Sequence, residues 1–157
     1  MKVYRIEREK YLDSTLLGIG ASLSEGFRWN SFSTRMVYTS GSRALATLEV
    51  AVHLDIHEDL PKDRFYVEID IPESVQILEL YREDLPKNWD AKPPLVSTQI
   101  IGDAFVREGN AAVLKVPSAI VPAEYNYLIN PLHPDISKIS MDIVASVTFD
   151  VRLRKKL

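Results

Sequence analysis

Between residues 42 and 71 the hydrophobic period changes, and no other feature limits the fold so strongly. In SRALATLEVAVHLDIH (42–57), Leu45, Leu48, Val52 and Ile56 recur at three- and four-residue steps, with Ala44 and Ala51 beside them. That spacing predicts an amphipathic helix, with Ser40 or Ser42 as its N-cap. In FYVEIDI (65–71) the period drops to two: Phe65, Val67, Ile69 and Ile71 alternate with Tyr66, Glu68 and Asp70, as a half-buried strand requires. The chain must therefore pack a helix against a sheet.

The flanking segments fix the fold class. VYRI (3–6), MVYT (36–39) and VQILEL (75–80) read as strands, and AVLKV (112–116) and AIV (119–121) as strand pieces interrupted by Pro117. SVTFDVRL (146–153) places Val147, Phe149, Val151 and Leu153 on one face of a last strand. STQIIGDAFVREG (97–109) reads as a second helix that Gly109 ends. Gly18 and Gly20 break LLGIGAS into a turn, NPLHP (130–134) is turn-like, and DLPKNWDAKPPLV (84–96), with three prolines, is expected to loop over the surface. Strands outnumber helices and do not alternate with them, so the prediction is α+β: a mixed β core with flanking helices, one domain over 1–157.

Composition narrows the function. Nineteen basic residues stand against 22 acidic, a net charge of −3, which argues against direct nucleic-acid binding. The basic run from Arg152 to Lys156 reads as a solvated tail. Cysteine is absent, so thiolate metal sites and disulfides are excluded. His53 and His57 stand four apart but lack an HExxH pattern, and no metal is assigned. With no signal peptide and no stretch of membrane-spanning length, the expectation is a cytoplasmic protein.

Three features carry chemistry. Arg28 in GFRWN lies between aromatic residues just ahead of a strand, as a positioned cation would. Glu49 borders the apolar stripe of the best helix, where a carboxylate must reach water, find a partner or face a cleft. Tyr38 is a strand tyrosine beside a turn, with its ring half in the core. Read singly, each also fits a structural role, and Ser118 fits a turn.

Read together, GFRWN, VYTSGSRALATLEV and VPSAIVPAEYNYLINP resemble the RES domain, the toxin half of a bacterial toxin–antitoxin pair, over nearly the whole chain. The resemblance matches the family's arginine to Arg28, its tyrosine to Tyr38, its glutamate to Glu49 and its serine to Ser118. Phe27 stands where family members often carry a second glycine. The resemblance implies an ADP-ribosyltransferase-like fold, with NAD+ as substrate rather than prosthetic group. It also implies cleavage of the nicotinamide–ribose bond and masking by an Xre-type antitoxin. On that reading Arg28, Tyr38 and Glu49 are catalytic. Arg28, Tyr38, Ser118 and Asn126 bind the dinucleotide, Asn126 from the turn that follows Ser118. The alternatives are transfer of ADP-ribose to a specific protein, and a non-catalytic binding module in which Arg28 and Glu49 form a structural ion pair. A Rossmann mode is disfavoured, since no Gly-rich fingerprint is present.

Overall fold

In a computed structural model, which describes residues 1–23, 25–54 and 60–153, the period-two segments assemble around one mixed sheet. Its strands are β1 (Lys2–Arg8), β4 (Val37–Ser40), β5 (Arg64–Asp70), β6 (Ile77–Glu79), β7 (Val113–Pro117), β8 (Tyr125–Ile129) and β9 (Ser140–Ser146). A separate two-stranded ribbon joins β2 (Gly26–Phe27) to β3 (Asn30–Ser31). The order across the sheet is β6-β7-β8-β4-β1-β5-β9, with β6 and β7 parallel and the other neighbours antiparallel. Among the described residues three α-helices accompany it: α1 (Ile19–Ser22), α2 (Arg43–Ala51) and α3 (Val96–Glu108). The expected α+β class, a mixed sheet with flanking helices, is the one observed.

The central strands bury both faces, and parity divides their side chains. Val37, Val113 and Ile129 join Val3, Val67 and Ile69 in one core, covered by Leu12 and Leu16 of a 3-10 helix over Glu9–Leu17. Met36, Leu114, Val116 and Leu128 point the other way, into a core closed by Trp29, Trp89, Ala21 and Phe105 of α3. A third cluster joins Ala46 of α2 to Ile6, Val147 and Phe149. Both faces are shielded from water, as a sheet with apolar residues at odd and even positions demands.

Several expectations change. The helix expected over 42–57 spans Arg43–Ala51, with Ser42 Oγ accepting from Leu45 N at 3.1 Å as N-cap; Ile56 and His57 lie outside the described residues. Its packed side carries Leu45 and Ala46, with Glu49 and Val50 half-buried, whereas Leu48 and Val52 are exposed. The apolar stripe is thus rotated from the one the spacing suggested, because the short helix lies against β1 and β4 through its small Ala46. Residues 119–121 form no strand but a turn, with Glu124 N donating to Val121 O. The last strand lies at 140–146 rather than 146–153; Val147 and Phe149 turn into the core while Val151 is 68% exposed. Gly18, in the left-handed region, links the 3-10 helix to α1, and Gly20 lies inside α1 rather than in a turn or loop. The loop over 84–96 does not merely cross the surface, since it buries Trp89 against Trp29 (ring centroids 6.3 Å, 30° apart).

The Trp29 contact requires a glycine. A Cβ at Gly102 of α3 would overlap the carbonyl of Trp29, whereas one at Gly20 would meet nothing within 4 Å. We expect Gly102→Ala to destabilise the protein by about 1–3 kcal/mol, since the backbones cannot interpenetrate. Gly20→Ala should stay within about 0.5 kcal/mol, as surface changes usually do. Urea midpoints check both; an unaffected Gly102→Ala would show that α3 does not seat on the Trp29 backbone.

Candidate active site

The site is built on one face of two neighbouring strands. In β4, alternation turns Tyr38 and Ser40 to the same side. The antiparallel register of β4 with β8 sets Tyr38 opposite Leu128 and Ser40 opposite Asn126. Gly41 and Ser42 then reverse the chain into α2, which returns over that face with Glu49 on its packed side.

A half-buried carboxylate inside a packed helix face needs partners, and Glu49 has two. Ser118 Oγ donates to Glu49 Oε1 at 3.1 Å, and Asn126 Nδ2 donates to the same oxygen at 2.6 Å. Both donors converge on Oε1; Oε2 takes no hydrogen bond from any described residue. Ser118 is 0% exposed, and its oxygen accepts from the N–H groups of Ile120 and Val121, each at 3.1 Å. Its lone pairs are thereby occupied, and its proton goes to the carboxylate. The Ser118 hydroxyl, expected to meet the dinucleotide, is fully spent within the protein. Asn126 belongs to β8, not to a turn, and is braced by Ser40 Oγ, which donates to Asn126 Oδ1 at 2.8 Å.

Arg28 and Trp29 form the two-residue connection of the β2–β3 ribbon. The ribbon starts at Gly26, whose φ of +96° favours glycine, and a Cβ there would overlap the carbonyl of Asn30. Asn30, fully buried, braces both ends of this loop. Its Nδ2 donates to the carbonyls of Ala21 (2.8 Å), Ser31 (3.0 Å) and Thr34 (3.2 Å), while Oδ1 accepts from Tyr38 Oη at 2.7 Å. Tyr38 Oη in turn accepts from Trp29 N at 3.1 Å. The phenol therefore anchors the Arg28 loop from below instead of reaching the rim. Burial pushes its pKa far above the ordinary value, outweighing the Trp29 N–H bond that pulls it down. Tyr38 stays a neutral donor, and the ring of Phe27 lies against its own at 5.5 Å, tilted by 60°.

Arg28 Nη1 donates to Trp89 O at 2.7 Å and Ala91 O at 3.0 Å, which ties the proline-rich loop to the site. Nε and Nη2 make no hydrogen bond to a described residue, so the edge that binds oxyanions in two-pronged fashion is unspent. Desolvation lowers the Arg28 pKa, while the Glu49 carboxylate and then Asp90 oppose that shift. Arg28 and Glu49 thus feel one another's charge but form no ion pair.

The five residues singled out in the sequence fall into two connected groups: Glu49, Ser118 and Asn126 around the carboxylate, and Arg28 and Tyr38 around the loop. The sequence reading missed Asn30, Trp89 and Gly102, and considered Ser40 only as a helix cap. Strand alternation from Tyr38 would have found Ser40; the other three hold their places through long-range contacts that no local pattern records. Among the described residues, no group of three His, Asp or Glu could hold a metal ion.

Known proteins are similar to this chain over most of its length. The "Prs ADP-ribosylating toxin" of Sphingobium sp. (strain YBL2) is 39% identical over 148 residues, covering 93% of this chain and 91% of the relative. A protein named "Toxin Res" from Photorhabdus laumondii is 40% identical over 139 residues, covering 88% of this chain and 86% of the relative. In fold, the chain is similar to one in the crystal structure of the M. tuberculosis MbcT–MbcA toxin–antitoxin complex, with a TM-score of 0.71 over 92% of this chain and 84% of that one, at 15% identity. Residues 2–152 match the RES domain, and the chain belongs to that family.

Proposed function

We propose that this chain is the toxin half of a toxin–antitoxin pair and cleaves the nicotinamide–ribose bond of NAD+, draining the nucleotide from the cytoplasm and arresting growth. The observation that carries the reading is a carboxylate held by one oxygen within the electrostatic reach of an arginine with an unspent edge. Cleaving that bond builds positive charge on the ribose ring, as in glycoside hydrolysis. Glu49 Oε2 is suited to that charge or to a ribose hydroxyl, and its orientation is set in advance by Ser118 and Asn126. The Nε–Nη2 edge of Arg28 suits a phosphate of the dinucleotide. Tyr38 holds the Arg28 loop through its hydroxyl, while its ring packs against that of Phe27.

A second reading, transfer of ADP-ribose to a protein, is favoured by the name of the Sphingobium relative, an ADP-ribosylating toxin at 39% identity. Radiolabel in the ADP-ribose moiety separates the two: it ends free in the first case and protein-bound in the second. The non-catalytic reading rested on an Arg28–Glu49 ion pair, and Arg28 instead spends Nη1 on two backbone carbonyls. As partner we propose an Xre-type antitoxin that seats an acidic segment or C-terminal carboxylate against the Arg28 edge, since a guanidinium reads carboxylate and phosphate alike.

Three outcomes test this reading. Glu49→Gln keeps the shape and an acceptor for Ser118 and Asn126 but removes the charge, so NAD consumption should fall by about 10²–10³-fold with the fold intact. Near-normal turnover in this variant would refute the assignment. Arg28→Lys can replace the carbonyl anchor or the phosphate contact but not both; the KM for NAD should rise about tenfold or more, as expected where a fork is exchanged for a point charge. Unchanged KM would reduce Arg28 to a loop tie. Expression of the chain alone should halt bacterial growth and lower NAD, and co-expression of an antitoxin encoded beside it should restore both. An antitoxin stripped of its acidic tail that still inhibits fully would locate the block away from Arg28.

A further inference from the structure

Asn126 can meet Glu49 in two ways, and only one is attractive. With Nδ2 toward the carboxylate, a donor faces Oε1 at 2.6 Å; with the amide turned over, Oδ1 would face it, acceptor against acceptor. The carboxylate, which only accepts, makes that choice; what holds the amide in place lies on its other side. Ser40 is buried (4% exposed) on β4, directly opposite Asn126 in the β4–β8 register, and its hydroxyl donates to Asn126 Oδ1 at 2.8 Å. The Ser40 hydroxyl, donating to Oδ1, holds that end of the amide and keeps Nδ2 from swinging away from Oε1. The second donor to Glu49 is fixed by a separate device, the two backbone N–H groups that fill the lone pairs of Ser118. Each donor to Oε1 is thus oriented by its own support, one from a turn and one from a strand.

We infer that Ser40 is a positioning residue for Glu49, holding the Asn126 amide so that the carboxylate keeps one oxygen anchored and turns the other toward the substrate. The inference rests on the proposed NAD-cleaving role for its catalytic consequence, but the amide orientation itself does not depend on that role. Ser40 has no direct contact with Glu49, and Asn126 is the link between them. A relay of this kind has a signature that packing alone lacks: the effect of Ser40 must vanish when Asn126 is absent.

The experiment compares wild type, Ser40→Ala, Asn126→Ala and the double variant, in the full chain. Turnover of NAD is measured beside the NMR signals of the Asn126 side-chain amide, which are identified by their loss in Asn126→Ala. In Ser40→Ala we expect the amide protons to lose the downfield position of a carboxylate-bound NH2. We also expect kcat to fall about five- to tenfold, the scale of one hydrogen bond, with KM for NAD within twofold. In the Asn126→Ala background, Ser40→Ala should change kcat by less than twofold. Unshifted amide signals in a folded Ser40→Ala protein, or an equal loss of kcat in both backgrounds, would overturn the inference. Should wild type consume no NAD, the proposed function fails, and the amide signals still decide whether Ser40 orients Asn126.

Discussion

The pairing of β4 with β8 is the constraint on which the site depends. Its register sets Ser40 beside Asn126 and Tyr38 beside Leu128, with Val37 and Ile129 on the reverse face. A slip of one residue would turn Tyr38 and Ser40 into the Val3–Ile69 core and expose Val37 to the helix side. Such a slip is opposed from both faces, because the odd and even residues of β4 each belong to a closed core. Gly41 N donates to Tyr125 O at 3.1 Å and Thr39 Oγ1 to Tyr127 O at 2.6 Å, which pins the end of the pair where α2 begins. The placement of Glu49 follows from that end, since only the Gly41-Ser42 turn separates the strand from its helix.

Two buried polar hubs hang on this frame, and they differ in kind. Asn30 spends both ends of its amide on the protein, three carbonyls at one end and the Tyr38 phenol at the other. It has nothing left for a ligand, so it shapes the loop. Glu49 spends one oxygen, and Arg28 spends one nitrogen. Groups half committed to the protein are held in place and still have capacity for chemistry, which is what preorganisation requires. Trp29 and Trp89, stacked at 6.3 Å, join the Arg28 loop to the 84–96 loop whose carbonyls take Nη1, while the rest of the guanidinium stays unspent.

How far the sequence disclosed this differs by element. The FYVEIDI strand and the Gly109-terminated helix were legible because one face of each is consistently apolar, so local period and burial agree. YNYLI at β8 escaped because Tyr125 is exposed beneath Lys115, Asn126 serves the site and Tyr127 packs on a core, leaving no clean alternation to read. β9 escaped because most of its residues are exposed and it is held by pairing to β5 rather than by its own apolar face. Arg28, Glu49 and Ser118 were found through the resemblance of their surroundings to a family. Their residue types alone were compatible with ordinary surface and turn roles. The link through Ser40 is a tertiary fact: residues 86 apart share one hydrogen bond, and no window along the chain contains both.

The network also ties function to stability in a specific way. Removing the Glu49 side chain altogether would leave the Ser118 hydroxyl and the Asn126 amide facing an empty acceptor position, and unsatisfied buried donors cost about 1–3 kcal/mol each. Ser118 cannot turn its proton elsewhere without giving up the two N–H groups of Ile120 and Val121, and Asn126 loses the acceptor that its Nδ2 meets at 2.6 Å. Truncation at position 49 therefore weakens the turn after β7 and the β4–β8 edge together, whereas an isostere that still accepts leaves them standing. A carboxylate that would be a liability in an ordinary core is here the acceptor around which two strands, a turn and a helix agree, so the chemistry of the site and the coherence of the fold meet in a single oxygen atom.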